Sequence, residues 1–339
     1  MRAFTIERYG DKGGGHHTET PDPRVGADDV LVRIHAAGVN PLDHKISDGE
    51  FKAILPYRLP LILGNDLAGV VIEVGSAVTR FAVGDEVYAR PGKDRIGTFA
   101  ELIAVHQDDI ALKPATLTMA EAASLPLVAL TAWQALVERA QVRPGQKVLI
   151  HAGSGGVGTI AIQLAKHLGA YVATTASTAK TSVVKDLGAD EVVDYTKQTF
   201  ESVLDGYDVV LDTLGGETLE KSLRVLKPGG KVISVAGPPD AAFARELGAN
   251  AFLRLAMSAL SFRTRRHAAR RGVTYSFLFM KADGDQLRAL TPLIDAGTIR
   301  PVVDRVFPFD QTREALEYVE KGSARAGKVV VTMTGEALA

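Results

Sequence analysis

Over the first third of the chain the apolar positions come in short, nearly alternating runs. Val30-Leu-Val-Arg-Ile-His35 alternates, Val70-Val-Ile-Glu-Val74 is β-branched, and Glu86-Val-Tyr-Ala89 follows the turn pair Gly84-Asp85. Period-two patterning cut by Gly and Pro predicts short strands joined by turns, as in a small barrel or sandwich. After about Pro126 the texture changes, and strand-type runs alternate with helix-type runs. Strands are expected at 148–150, 171–174, 191–193, 209–211, 231–235 and 273–280. Between the first two, Ile160, Leu164, Ala165 and Leu168 recur at helical spacing, and Gly169 supplies a C-cap. A second helix carries Val183, Val184 and Leu187 and stops at Gly188. Six strands separated by helices predict an α/β domain with a doubly wound parallel sheet covered on both faces. Past about Gly284 the alternation breaks: a helix near 286–295 leads to short strands at 301–306 and 328–332. That tail reads as the chain returning to complete the first domain, so the expected division is 1–122 with 284–339, and 123–283.

Length and composition narrow the class. A chain of 339 residues suits two domains, and 39 basic against 40 acidic residues give a net charge of −1. That balance predicts no affinity for nucleic acid or membrane as bulk partners. Cysteine is absent, which excludes disulfides, thiolate catalysis and Cys-ligated zinc. Met1-Arg-Ala-Phe-Thr-Ile6 reads directly into a strand with no apolar signal segment, so a cytoplasmic location is expected. Gly13-Gly-Gly-His-His17 reads as a polar turn rather than a metal site.

The motif with the clearest chemistry is Gly153-Ser154-Gly155-Gly156-Val157-Gly158, directly after the 148–150 strand and opening an amphipathic helix. Gly153 permits a tight turn, Gly155 lets the backbone approach a pyrophosphate, and Gly158 lets helix and strand pack closely. The N–H groups and positive dipole end of the helix then face the anion. An NAD site places Asp or Glu at the end of the second strand to bond the ribose 2′-hydroxyl. This chain has Thr174-Thr-Ala-Ser177-Thr-Ala-Lys180 there, with no acid in that window. Hydroxyls and a Lys suit a 2′-phosphate, with Tyr195 flanking it, so NADPH is expected as the cofactor rather than NADH.

Several segments together resemble the medium-chain dehydrogenase/reductase superfamily in its zinc-free quinone oxidoreductase branch. They are Ala37-Gly-Val-Asn40-Pro-Leu-Asp43-His-Lys45, Leu63-Gly-Asn65-Asp66-Leu-Ala-Gly69, Val83-Gly-Asp-Glu-Val87, Leu130-Thr131-Ala-Trp-Gln-Ala135, the glycine loop, and Leu226-Lys-Pro-Gly-Gly-Lys231. They follow the family's order over essentially the whole chain. The resemblance implies a GroES-like catalytic domain, a Rossmann domain and a cleft between them for nicotinamide and acceptor. By the same resemblance Asn40 and Thr131 lie near the nicotinamide, Ser177, Lys180 and Tyr195 hold the 2′-phosphate, and Gly237 lets the backbone approach the nicotinamide end. Lys328 joins the cofactor contacts.

Zinc-dependent relatives have a Cys after the Gly-Val pair and a Gly-His-Glu after the next strands. Here those places read Asn40 and Asn65-Asp66, and 88–100 is too short for a four-Cys lobe. Without a Lewis acid, hydride transfer suits an acceptor that stabilises negative charge itself: a quinone, or an enone, enal or enoyl group reduced at C=C. Asn40, Asp43 and Tyr57 are the candidate catalytic groups, with Lys45 a further polar contact; Asp43 could equally cap a turn, Lys45 be solvated and Tyr57 only lid the cleft. Water could supply the proton.

Two features stand outside this scheme. Arg263-Thr-Arg-Arg266-His-Ala-Ala-Arg-Arg271 is a dense basic run, read as the solvated end of a helix whose spacing is set by Phe252, Leu255, Ala259 and Phe262. A site for RNA or an acidic substrate tail is the competing reading, which would make the chain a nucleotide- or RNA-binding member with little turnover. The apolar run 273–280 is expected as the last strand, and an exposed apolar edge predicts pairing with its symmetry mate in a homodimer.

Overall fold

A computed structural model describes residues 1–10, 15–52 and 55–333. The chain divides into two compact units, Met1–Leu130 with the segment from Lys281 onward, and Thr131–Met280. The crossings expected after 122 and 283 therefore fall eight residues later and three earlier, the first inside a helix.

The first unit begins with β1 (Arg2–Ile6), β2 (Gly15–Glu19), β3 (Asp29–Val39), α1 (Pro41–Ser47) and β4 (Leu61–Ile62). It continues through β5 (Leu67–Val74), β6 (Glu86–Ala89), β7 (Leu102–His106), β8 (Ile110–Leu112), α2 (Met119–Ala123) and α3 (Pro126–Trp133). β3 is its spine, antiparallel to β5 and β7. Because strand side chains alternate, Val30, Val32 and Ile34 enter one core with Leu67, Val71 and Val87. Ala37 and Val39 enter a second with Phe4, Leu63 and Phe99. The polar turn expected at 13–17 is corrected in part. Gly13 and Gly14 lie outside the described residues, but Gly15–Glu19 pairs antiparallel with β1. His17 packs edge-on against Phe4 at 5.2 Å and Phe309 at 4.7 Å. Among the described residues no His, Cys, Asp and Glu cluster could hold a metal.

The second unit runs β9 (Lys147–Ile150), α4 (Gly156–His167), β10 (Tyr171–Ala176), α5 (Thr181–Asp186), β11 (Glu191–Asp194) and β12 (Tyr207–Asp212). It then adds α6 (Gly216–Val225), β13 (Leu226–Ser234), α7 (Ala241–Glu246), α8 (Ala251–Leu260), α9 (Phe262–Arg270) and β14 (Thr274–Phe277). All six strands are parallel in the order β11-β10-β9-β12-β13-β14. This is the doubly wound order, with its reversal between β9 and β12, where ligands of such sheets bind. Val148, Leu149, Ile150, Val210 and Leu211 are all fully buried, which explains their unbroken apolar runs. Gly169 and Gly188 follow α4 and α5 at φ of 79° and 103°, the left-handed ends expected of them.

Two expectations change. Only four residues of 273–280 form the last strand, and Val273, Tyr275, Phe277, Leu278 and Met280 are buried within the chain. The edge has an open backbone but no apolar face. The second concerns the 252–262 stripe, whose facing the spacing left open: it is helical as expected and points outward, with Phe252 81% and Leu255 71% exposed.

The tail returns to the first unit as α10 (Gly284–Asp295), β15 (Val303–Pro308), α11 (Thr312–Glu320) and β16 (Lys328–Thr332). β16 lies antiparallel to β3 with Val329 opposite Val39. This register carries Lys328 to Asn40, across 288 residues of sequence.

Candidate active site

Each unit holds one polar centre. In the second, β9 ends at Ile150 and the chain turns through Ala152 at φ 51°, a left-handed backbone uncommon for a residue with a Cβ. The turn is held from below: Ala152 donates its N–H to Thr175 Oγ1 at 3.1 Å, and Gly153 to the Thr175 carbonyl at 3.0 Å. A Cβ on Gly153 would lie 2.1 Å from Thr174 Oγ1, and one on Gly158 2.3 Å from the Ala152 carbonyl. At Gly155 it would meet only that carbonyl, at 3.2 Å. Gly153 and Gly158 are buried, whereas Ser154, Gly155, Gly156 and Val157 are half-exposed. Two glycines thus close the turn, and the residues between them face outward. Gly155 caps α4 without a side-chain hydrogen bond to the first-turn N–H groups. Such an end suits an anion, so these residues fit a dinucleotide pyrophosphate.

Ser177 is half-exposed beyond β10 and its carbonyl accepts the Lys180 N–H at 2.9 Å. Tyr195, 62% exposed, donates its N–H to the Ala176 carbonyl. The register of β10 and β11 therefore brings Ser177, Lys180 and Tyr195 to one corner. It also brings Asp194, paired with Ala176, an acid absent from the 174–180 window. The Asp194 carboxylate accepts the Thr178 hydroxyl, the Thr196 hydroxyl at 2.6 Å and Lys197 at 3.4 Å. The Thr178 and Thr196 hydroxyls lower its pKa to about 2. Its charge is engaged by the turn itself. Thr131 is buried on α3.

Beyond β12 and β13 lies a network the sequence reading missed. Buried Asp212 accepts the N–H groups of Leu214 and Gly215 and, at 2.6 Å, the Ser234 hydroxyl. Ser234 Oγ in turn accepts the Gly237 N–H at 2.8 Å. A Cβ on Gly237 would meet Tyr275 Oη at 2.6 Å and Ser234 Oγ at 2.8 Å, so a side chain there would displace those groups. His151, after β9, bonds Ser222 at 2.8 Å and Thr175 at 3.3 Å. Burial lowers its pKa to about 4, which keeps it neutral. A carboxylate at the C-terminal end of a central parallel strand was the available signal for Asp212.

The first unit's centre is closed. Asp43 is wholly buried; it accepts the Asn40 N–H at 2.7 Å as part of a capping box at the start of α1, and Asn65 Nδ2 at 2.7 Å. Burial raises its pKa to about 7 against the opposing hydrogen bonds from Asn65 and Asn40. Asn40 Nδ2 donates to Asp66 at 2.8 Å and to the Gly38 carbonyl at 3.3 Å. Lys328 Nζ donates to Asn40 Oδ1, to the Val39 carbonyl at 2.9 Å and to Asp66 at 3.2 Å. All three ammonium hydrogens have protein acceptors, so Lys328, expected to contact the cofactor, is turned into the unit. Arg90, 1% exposed, reaches the Pro91 carbonyl and, at 3.4 Å, Asn65. Neither Arg90 nor Asp66 was among the candidate residues. Tyr57 donates to the Lys93 carbonyl at 2.7 Å, and burial raises its pKa to about 12, so it stays protonated. Lys45 is an exposed partner of Glu50.

This donor set does not fit a zinc ion. An amide, a carboxylate and a backbone carbonyl hold an ammonium that already supplies the positive charge, Asn65 and Asp43 pair beside them, and neither thiolate nor imidazole is among these groups.

Residues 26–115 match the family described as alcohol dehydrogenase GroES-like domain, and 187–331 that described as zinc-binding dehydrogenase. The chain is 39% identical to an NADPH-dependent alkenal/one oxidoreductase, chloroplastic, of Arabidopsis thaliana, over 91% of this chain and 73% of the relative. It superposes on the quinone oxidoreductase of Coxiella burnetii with a TM-score of 0.86 at 32% identity, covering 98% and 99% of the two chains. A mycobacterial protein solved in complex with NADPH gives 0.81 at 28% identity, covering 98% and 100%. The chain is an oxidoreductase belonging to the medium-chain dehydrogenase/reductase superfamily, in its zinc-free quinone oxidoreductase-like branch.

Proposed function

We propose that this protein transfers hydride from NADPH to a quinone or similar conjugated acceptor without a metal. The observation that carries the reading is Lys328 Nζ among Asn40, Val39 and Asp66, which leaves no ligand set for a Lewis acid. An acceptor must then disperse its own developing charge, as quinones and α,β-unsaturated carbonyls do. When bound, NADPH supplies the hydride, and the protein binds, orients and excludes water. Gly153 to Gly158 would hold the pyrophosphate, Lys180 with Ser177 and Tyr195 the 2′-phosphate, and Gly237 the nicotinamide end. Asp43 and Lys328 act on the centre from within by fixing Asn40. Tyr57 has its one proton on Lys93 in this state, and solvent water supplies the proton the acceptor gains.

The test is NADPH oxidation over a panel of quinones, enones and enals, repeated with NADH and with products identified. Quinol formation with NADPH as the preferred donor supports the reading; turnover that depends on added zinc sinks it. Loss of C=C with the carbonyl retained supports the second reading, an enone or enal reductase, which the alkenal/one relative favours. Pairing of two copies through the open edge of β14 belongs to the same proposal. Light scattering that finds only monomer at micromolar concentration removes that part.

A further inference from the structure

The outward stripe on α8 and α9 is unused by anything above. Met257, Ser261, Thr264 and Ala268 are the buried residues of this segment, at spacings of four, three and four. They form one helical face, and the chain stays right-handed helical through Ser261 between the two helices. The opposite face carries Phe252, Leu255, Ala259 and Phe262, and by the same period it continues into Arg266 and Arg270. Phe252, Leu255 and Phe262 are 81%, 71% and 56% exposed, and Leu260, off this face, 64%. These are the residues a soluble helix normally turns inward. The Arg266 guanidinium lies 6.0 Å from the Phe262 ring, so the apolar stripe and the basic row meet.

Charge identifies the occupant. Between Glu246 and Asp283 there is no acidic residue, against six arginines and Lys281, in a chain whose overall charge is −1. Arg263 and His267 face Glu220 of α6 at 3.5 and 3.3 Å, whereas Arg266, Arg270 and Arg271 make no ion pair among the described residues. Aromatic and leucine side chains on one face with arginines at its end are the pattern of a helix lying in a membrane interface. Apolar groups enter the acyl boundary there while arginines meet anionic headgroups.

We propose that α8 and α9 form a peripheral docking face for an anionic lipid bilayer, on which the protein lies without crossing. No helix among the described residues is long and apolar enough to cross one. This amends the expectation of no membrane partner. It is independent of the acceptor, because binding is read without turnover.

The experiment is co-sedimentation of the full chain with extruded vesicles of phosphatidylcholine alone and of phosphatidylcholine with phosphatidylglycerol, at low and physiological salt. Binding to the anionic vesicles, weakening with salt and absent from pure phosphatidylcholine, is expected. Replacing Arg266, Arg270 and Arg271 together by Gln should weaken it about a hundredfold, at roughly fivefold per charge. Phe252→Ser with Leu255→Ser should weaken it comparably, and both variants should retain wild-type melting and NADPH turnover with a water-soluble acceptor. No binding to anionic vesicles, or binding that both variants retain, overturns the proposal. So does a wild-type dimer that Phe252→Ser with Leu255→Ser dissociates while vesicle binding is absent, since the stripe is then the face of a second copy.

Discussion

The two polar centres differ in how their hydrogen bonds are closed. In the first unit Asn40, Asp43, Asn65, Asp66 and Lys328 are at most 6% exposed, and each carboxylate and the ammonium has protein partners. In the second, the glycine turn is closed at its base by Thr174 and Thr175, and its upper residues are half-exposed. A centre closed by internal charge compensation fixes a shape; a half-exposed glycine turn opening a helix without a side-chain cap suits an anion. In this chain Asn40 and Asp66 belong to the closed kind.

The comparison breaks first at Lys328. Lys328→Met leaves Asp66 buried without its ammonium partner, which should cost about 3–5 kcal/mol. Urea unfolding reads this, and an unchanged midpoint and slope would mean the centre is not held by charge. Next comes pH. The folded pKa of Asp43, about 7, exceeds the ordinary carboxyl value near 3.8. The stability its proton confers is therefore complete below about pH 4 and is lost as pH rises through 7. The loss approaches about 1.4 kcal/mol per pH unit at most. Thermal melting from pH 4 to 8 should show this drift, and Asp43→Asn should flatten it; a drift unaltered by that change assigns it elsewhere. In the second unit, Gly158→Ala forces a Cβ against the Ala152 carbonyl and the Gly153 Cα. Calorimetry should find NADPH affinity down about a hundredfold, some 2.7 kcal/mol, with circular dichroism unchanged. Smallest is Lys180→Ala: about a tenfold loss for NADPH, near 1.4 kcal/mol, with NADH affinity unmoved. Equal losses for both coenzymes would remove Lys180 from the 2′-phosphate.

Much of the fold was legible because local physics determines it. The parallel strands are buried on both faces, so they read as apolar runs; Gly169 and Gly188 stand where helices end in left-handed turns. The glycine loop was legible because its side-chain-free positions are steric requirements, borne out at Gly153 and Gly158. The 252–262 stripe was legible as a helix, but the side it faces was not. Helical spacing shows that an apolar face exists, and whether the rest of the chain covers it depends on packing.

Partnership across long separations was hidden. Lys328 meets Asn40 only because β16 pairs with β3 in one register, and a slip of one residue would turn it to the other face. Asp194 joins the corner beside Ser177 and Lys180 only through the pairing of β11 with β10. The sequence by itself determined the order of strands and helices, the glycine cradle and the lack of thiolate ligands, since each depends on neighbours within a few residues. Tertiary structure alone decided which buried charges neutralise one another and which apolar face stays outside, because electrostatic pairing and burial depend on distance in space.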